Sequence, residues 1–76
     1  MHPDDVLAIL TATPFIPFEI ELPNNGNFRV IDAKAASLSR SREALLITEP
    51  SGTRHVIGLR HIIRITTDPL FGRGQA

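Results

Sequence analysis

The sequence predicts a mainly β fold with one N-terminal helix and about five short antiparallel strands. Residues 14–31 and 44–59 each contain two apolar-rich stretches separated by a turn with proline and glycine, as in β-hairpins. Only residues 3–12 show a helical pattern. The chain has 76 residues, so we expect one domain over residues 1–67 and a flexible C-terminal tail over 68–76.

Residues 3–12 form the predicted helix. Pro3 suits the first helical turn, and Asp4 and Asp5 complement the positive end of the helix dipole. Pro14 ends the helix, because the residue before a proline is pushed toward extended geometry. Ten residues are too few for a stable isolated helix, so we expect it to pack on the sheet. The apolar stripe consists of Val6, Leu7 and Leu10.

The first hairpin spans residues 14–31, where apolar and charged residues alternate with the period of a half-buried strand. We predict a three-residue loop of Asn24, Asn25 and Gly26, with Gly26 in the left-handed conformation that glycine adopts at least cost. The glutamates of this hairpin then lie on a solvated face. The predicted pairs are Leu22 with Phe28, Ile20 with Val30, and Glu21 with Arg29.

Residues 32–43 connect the two hairpins. Residues 32–36 are predicted to form one helical turn capped by Asp32, or a bend between strands. Residues 37–39 are a candidate short strand, and the polar residues 39–43 a loop.

The second hairpin turns at Pro50-Ser51-Gly52. With Glu49 facing Thr53, Leu46 pairs with Val56 and Leu45 with Ile57. Both faces of this hairpin are then partly apolar, which favours a closed or strongly curved sheet. A turn at residues 59–61 precedes the last strand, residues 62–67.

The predicted core draws on the helix and on every strand. Its members are Val6, Leu7, Leu10, Phe15, Phe18, Ile20, Leu22, Phe28, Val30, Leu38, Leu46, Val56, Leu59, Ile63 and Ile65.

Composition excludes several classes of function. The chain has no cysteine, which rules out disulfides and thiolate metal sites. No apolar run approaches the roughly 18 residues of a membrane span, and no basic region precedes an N-terminal apolar stretch. We therefore expect a cytoplasmic protein without a membrane partner. A formal net charge of zero argues against strong non-specific nucleic-acid binding.

No catalytic signature is present, so we predict a protein that is not an enzyme. The serines lack the glycine-flanked setting of a nucleophile elbow, and the glycines form no phosphate-binding loop. Glu19 and Glu21 share a strand face but flank no predicted cleft. His55 and His61 fit no standard zinc spacing. We therefore expect neither a metal nor a cofactor.

Basic residues concentrate in the second half of the chain and are the candidate binding residues. Guanidinium groups that lie together on one rim of the fold can bind phosphate or carboxylate groups. The chain has no Tyr or Trp, so the stacking platforms of single-strand binders are missing, and nucleic acid is not the favoured partner. The candidate contacts are Arg40, Arg42, Arg54, Arg60, His61 and Arg64.

Three segments of the chain form a recognisable pattern: Pro14-Phe15-Ile16-Pro17-Phe18-Glu19-Ile20-Glu21-Leu22, then Phe28-Arg29-Val30, then Leu59-Arg60-His61-Ile62-Ile63-Arg64-Ile65. Together they resemble an uncharacterised family of short bacterial proteins. That family has a PFxPFxIxL opening, a turn with glycine and an LxHIxxI ending. Asn25-Gly26 replaces the family's commoner Asp-Gly, and Asp32-Ala33 stands where His-Pro is frequent. The family implies a shared organisation but no activity.

The order of elements also resembles Sm-like proteins of the Hfq type, in which a basic-His-aliphatic segment contributes to an RNA-binding pore of a ring. Arg60-His61-Ile62-Ile63 is similar to that segment. The glycine expected in a long second strand is absent, and residues 32–36 interrupt that strand. The resemblance implies a small SH3-like or Sm-like barrel more than it implies RNA binding.

The sequence therefore predicts a non-catalytic binding module. We expect it to associate with itself or with another protein, through an exposed edge strand or through the two-sided second hairpin. The alternative is an Sm-like RNA-binding subunit that uses Arg60, His61 and Arg64.

Overall fold

A computed structural model describes residues 1–72, and within them the chain is mainly β with one helix at its N-terminus. The strands form two three-stranded antiparallel sheets, the first in the order β2-β1-β6 and the second in the order β3-β4-β5. This confirms the predicted fold class at that level. The elements are α1 (Pro3–Leu10), β1 (Phe18–Glu21), β2 (Asn27–Val30), β3 (Ala36–Leu38), β4 (Ala44–Thr48), β5 (Arg54–Gly58) and β6 (Arg64–Thr67).

The helix α1 begins as the sequence indicates and ends two residues earlier than predicted. His2 caps it: the Nδ1 atom of its side chain accepts a hydrogen bond from the backbone N–H of Asp4 at 3.1 Å. The last helical bond runs from the N–H of Thr11 to the carbonyl of Leu7. Val6 is buried in the core and anchors the helix to the sheets. No helix in the described part of the chain is both long and apolar enough to cross a bilayer.

The register of the first hairpin differs from the prediction by two residues. Ile20 faces Phe28 rather than Val30, and Glu19, not Glu21, faces Arg29. A shift of two residues keeps every side chain on its predicted face, so hydrophobic alternation does not distinguish the two registers. Turn geometry decides between them.

The turn is built from Pro23, Asn24 and Asn25, and the N–H of Leu22 donates to the carbonyl of Gly26 at 2.7 Å. Asn24 and Asn25 take the left-handed conformation at φ 64° and 63°, whereas Gly26 is extended at φ −77°. The predicted left-handed Gly26 is therefore wrong. Proline fixes its own φ at the first turn position, and asparagine tolerates the left-handed conformation that follows.

The last strand, β6, returns to pair with β1 and completes the first sheet. Ile20 faces Ile65, and Glu21 faces Arg64. The N–H of Asp68 donates to the carbonyl of Pro17 at 3.0 Å beyond the end of the strand. The first and last strands are therefore joined by backbone pairing.

The second hairpin has the predicted register, with Leu46 opposite Val56 and Leu45 opposite Ile57. Its faces differ from the predicted core. Leu45 and Ile57 are buried, whereas Leu46 and Val56 point outward. Both faces of β4 and β5 are apolar, so the pattern alone does not select the inner one.

The core joins the helix to both sheets. Phe18, Ile20, Leu45, Val6 and Val30 are its largest fully buried side chains. The predicted core members Leu46, Val56 and Ile63 are exposed, so these three predictions are wrong. The buried residues that the prediction omitted are Ala36, Leu45, Ile47, Ile57 and Ile62.

Part of the predicted tail, residues 68–76, forms a turn that contacts the first sheet. Pro69–Gly72 form a 3₁₀ turn, and the guanidinium carbon of Arg29 lies 4.6 Å from the ring centroid of Phe71. The rest of that predicted tail, residues 73–76, lies outside the described residues.

Candidate functional site

The outer edge of β5 carries backbone groups that point away from its own sheet. At the two ends of the β4–β5 ladder, Glu49 donates to the carbonyl of Thr53, and Leu59 donates to that of Glu43. Antiparallel ladders alternate hydrogen-bonded and non-hydrogen-bonded pairs, so the odd-numbered residues of β5 bond to β4. The N–H and C=O groups of the even-numbered residues face outward. These residues are Arg54, Val56 and Gly58.

An apolar surface lies on the same strand. Val56 is 73% exposed, and Leu46, directly opposite it on β4, is 36% exposed. Ser37 on β3 continues this row across the sheet and is also exposed. We call the two apolar residues the Leu46–Val56 patch. An apolar patch beside an unpaired strand edge is a feature of protein–protein contact sites.

His55 occupies the inner face of β5 and links the two sheets. Its ring centroid lies 4.5 Å from that of Phe28 on β2, with the planes inclined at 54°. Its Nε2 atom lies 2.6 Å from Oε2 of Glu49 in the adjoining turn. These two contacts hold the imidazole of His55 in place between the sheets.

The six predicted binding residues do not form one surface. Arg42, Arg60 and His61 line a cleft of about 550 Å³ between the β3–β4 turn and the 3₁₀ turn Leu59–His61. We call this the basic cleft. Acidic groups reduce the positive charge of this cleft. Glu43 is part of its lining, and Nη1 of Arg42 lies 3.7 Å from Oδ1 of Asp4. Its net positive charge is therefore small.

The other three predicted residues lie elsewhere. Arg64 begins β6, and both its Nε and Nη2 atoms donate to Oε1 of Glu21, at 3.2 and 2.9 Å. Arg54 begins β5 and lines a second groove together with Val56. Arg40 is exposed in the loop between β3 and β4. These contacts place Arg64 with Glu21, and not with Arg60 and His61 as predicted.

The basic cleft depends on a close approach between Gly58 and His61. A Cβ atom placed on Gly58 would lie 3.0 Å from Cδ2 of the His61 ring. The φ of Gly58 is −63°, which any residue adopts. Gly58 is therefore suited to its position because the imidazole occupies the space of a side chain.

A wider groove, which the sequence did not predict, opens between β2 and the end of β4. It has a volume of about 750 Å³, and its lining includes Phe28 and Ile47 with Arg29, Lys34 and Glu49 at the rim. The sequence places Phe28 in the core and Glu49 in the second turn, with nothing to bring the two residues to one groove. Its position depends on how far the two sheets separate, which no local pattern reports.

No metal centre is formed in the described part of the chain: residues 1–72 contain no group of three His, Cys, Asp or Glu side chains placed to hold an ion. His55 and His61 lie at opposite ends of β5, in different environments.

Comparison of the chain with models of protein families, with curated proteins and with solved structures found no match. The chemistry of each surface is therefore taken from its own residues. The edge of β5 offers backbone hydrogen-bond groups beside apolar side chains. The basic cleft offers guanidinium and imidazole groups suited to anions.

Proposed function

We propose that the protein is a non-catalytic interaction module that associates with a second copy of itself through β5. The observation that carries the proposal is Val56, which is 73% exposed on a strand whose outward backbone groups have no partner strand among residues 1–72. Exposed sheet edges are templates for pairing with another chain. A second copy is a suitable occupant, because an antiparallel edge pairs with itself under two-fold symmetry.

We propose further that the two sheets belong to a partly open, SH3-like or Sm-like barrel. The sheet orders β6-β1-β2 and β3-β4-β5 follow one path if β2 and β3 are halves of one bent strand, interrupted at residues 31–35. The 3₁₀ turn Leu59–His61 between β5 and β6 suits that barrel. The likeness of residues 14–22 and 59–65 to an uncharacterised bacterial family is in keeping with a shared fold and carries no activity.

Solution mass tests the proposal. Purified protein at tens of micromolar is expected to sediment as a dimer, and Val56→Lys to shift it to the monomer. The matched control is Ile63→Lys, because Ile63 is also apolar and 58% exposed but lies outside β5. Circular dichroism verifies that both variants are folded. Wild-type protein that sediments as a monomer, or equal effects of the two substitutions, would contradict the proposal.

RNA binding is the second candidate, supported by the convergence of Arg42, Arg60 and His61 on the basic cleft. It predicts binding of a labelled single-stranded RNA that weakens with salt and on Arg60→Ala. Arg64→Ala is the comparison, because its guanidinium is already hydrogen-bonded to Glu21. Absence of RNA binding at low salt would contradict this second candidate function.

A further inference from the structure

We infer that β5 pairs antiparallel with β5 of a second copy, about a two-fold axis at Val56. This inference rests on the proposed self-association and adds its symmetry and register. The pairing would join the two second sheets into one continuous sheet in the order β3-β4-β5-β5-β4-β3. It uses the patch and the strand edge together, whereas packing of faces alone would leave the edge groups unpaired.

Backbone chemistry favours this register, because it pairs all three outward residues of β5, whereas a shift of two residues would pair only two of them. Val56 is the middle of the three residues whose N–H and C=O groups point outward. Centring the axis on it pairs Val56 with Val56 of the second copy, and Arg54 with Gly58. Each of these residues then exchanges both backbone bonds, as in the hydrogen-bonded pairs of an antiparallel ladder. A slip by one residue would set outward groups against inward ones and lose this match.

The side chains agree with the same register. Val56 of each copy lies beside its equivalent, so the Leu46–Val56 patch becomes continuous across the axis. Arg54 lies opposite Gly58 of the second copy, which has no side chain of its own, and next to the exposed His61 ring. A bulky residue in place of Gly58 would crowd both His61 and the incoming Arg54.

Each end of the paired strands brings one acidic side chain near a basic one, and it also places Arg54 near Arg60 and His61 of the second copy. The register brings the turn at residues 49–53, with the acidic Glu49, next to the 3₁₀ turn Leu59–His61 of the second copy, with the basic Arg60. Two-fold symmetry repeats this juxtaposition at the other end. Opposite charges across an interface fix register and suppress wrong pairings.

Each sheet of the described chain has two outer strands, β2 and β6 in the first sheet and β3 and β5 in the second. The free edge of β6 is one competing site. The bond from Asp68 to Pro17, together with the alternation of an antiparallel ladder, leaves only Ile65 and Thr67 with outward backbone groups. Pairing of β5 with β6 of another copy would match fewer groups. It would also be head-to-tail, and would produce rings or open chains instead of a dimer.

Disulfide trapping distinguishes these arrangements, because the chain has no cysteine of its own. In the inferred dimer the two Val56 Cα atoms lie about 5.5 Å apart, within disulfide reach. Val56→Cys is expected to form at least about tenfold more disulfide-linked dimer than Ile63→Cys under mild oxidation, because pairing raises the effective thiol concentration. Leu46→Cys, one strand further from the axis on each side, is expected to behave like the Ile63 control.

The solution mass tests self-association, and disulfide trapping tests the register of the pairing. Wild-type assemblies whose Val56→Cys variant does not cross-link above the control would overturn the two-fold register and leave self-association standing. A wild-type monomer would overturn both.

A proline variant provides an independent check of the register. The N–H of Val56 points away from β4, so Val56→Pro removes no bond within the chain but blocks pairing at the axis. It is expected to be a folded monomer. A folded Val56→Pro variant that still dimerises would contradict the inference, and if this variant does not fold, the trapping experiment decides.

Discussion

The imidazole of His55 on β5 packs in a tilted contact against the ring of Phe28 on β2, at a centroid distance of 4.5 Å. These strands belong to different sheets, and the same imidazole lies within hydrogen-bond distance of Glu49 at 2.6 Å. One half-buried side chain therefore joins the two sheets and positions the strand through which we propose that copies associate.

Removal of this link should destabilise the domain. We expect His55→Ala to lower the free energy of unfolding by about 1–2 kcal/mol, since an aromatic pair and a hydrogen bond to a charged group are both lost. His55→Phe keeps the ring contact and should lose less. Urea denaturation measures both, and a loss under about 0.5 kcal/mol for His55→Ala would contradict this role.

The two neighbouring leucines of β4 test which face is buried. Leu45 is 0% exposed and Leu46 is 36% exposed. We expect Leu45→Ala to cost about 2–5 kcal/mol of unfolding free energy, because it leaves a cavity in the core. Leu46→Ala should cost under about 1 kcal/mol in the monomer. Denaturation of both in the Val56→Lys background separates folding from association, and similar losses would show the faces to be reversed.

Substitution by alanine at two glycines, Gly52 and Gly58, should affect the protein for different physical reasons. Gly52 has φ +95° and nothing within 4 Å of an added Cβ. Gly52→Ala should therefore cost about 1 kcal/mol through backbone strain alone. Gly58→Ala should instead displace the exposed His61 ring, with a stability change under about 1 kcal/mol, because the ring is free to rotate. NMR signals of His61 that do not move on Gly58→Ala would count against the close approach.

The ion pair between Arg64 and Glu21 is solvent-exposed and should stabilise the fold only slightly. We expect Arg64→Ala to cost less than about 1 kcal/mol, and the loss to shrink with added salt. A double-mutant cycle with Glu21→Gln measures the coupling between the two side chains. A coupling energy well above 1 kcal/mol that persists in high salt would contradict an exposed pair.

Local chemistry predicted much of the fold. The register of the second hairpin followed from its proline–glycine turn. With Glu49 opposite Thr53 at the base of the turn, Leu46 has to pair with Val56. The first hairpin was predicted two residues away from its true register, since that shift leaves all of its side chains on the same faces. Only the tolerance of Asn24 and Asn25 for positive φ distinguishes the two.

The candidate surface was harder to predict than the fold. Val56 was assigned to the core because β4 and β5 are apolar on both faces, and sheet curvature decides which face is covered. No cleft was predicted around the candidate contact residues: Arg60 and His61 are adjacent in sequence, but Arg42 reaches them from another turn. The prediction grouped Arg64 with Arg60 and His61, whereas strand pairing sets it against Glu21.

Sedimentation equilibrium of the wild-type protein at tens of micromolar tests the central claim most directly. Association through β5 predicts a mass of twice the 8.4 kDa chain, and a return to the single-chain mass on Val56→Lys but not on Ile63→Lys. A wild-type mass of one chain throughout this concentration range would contradict it.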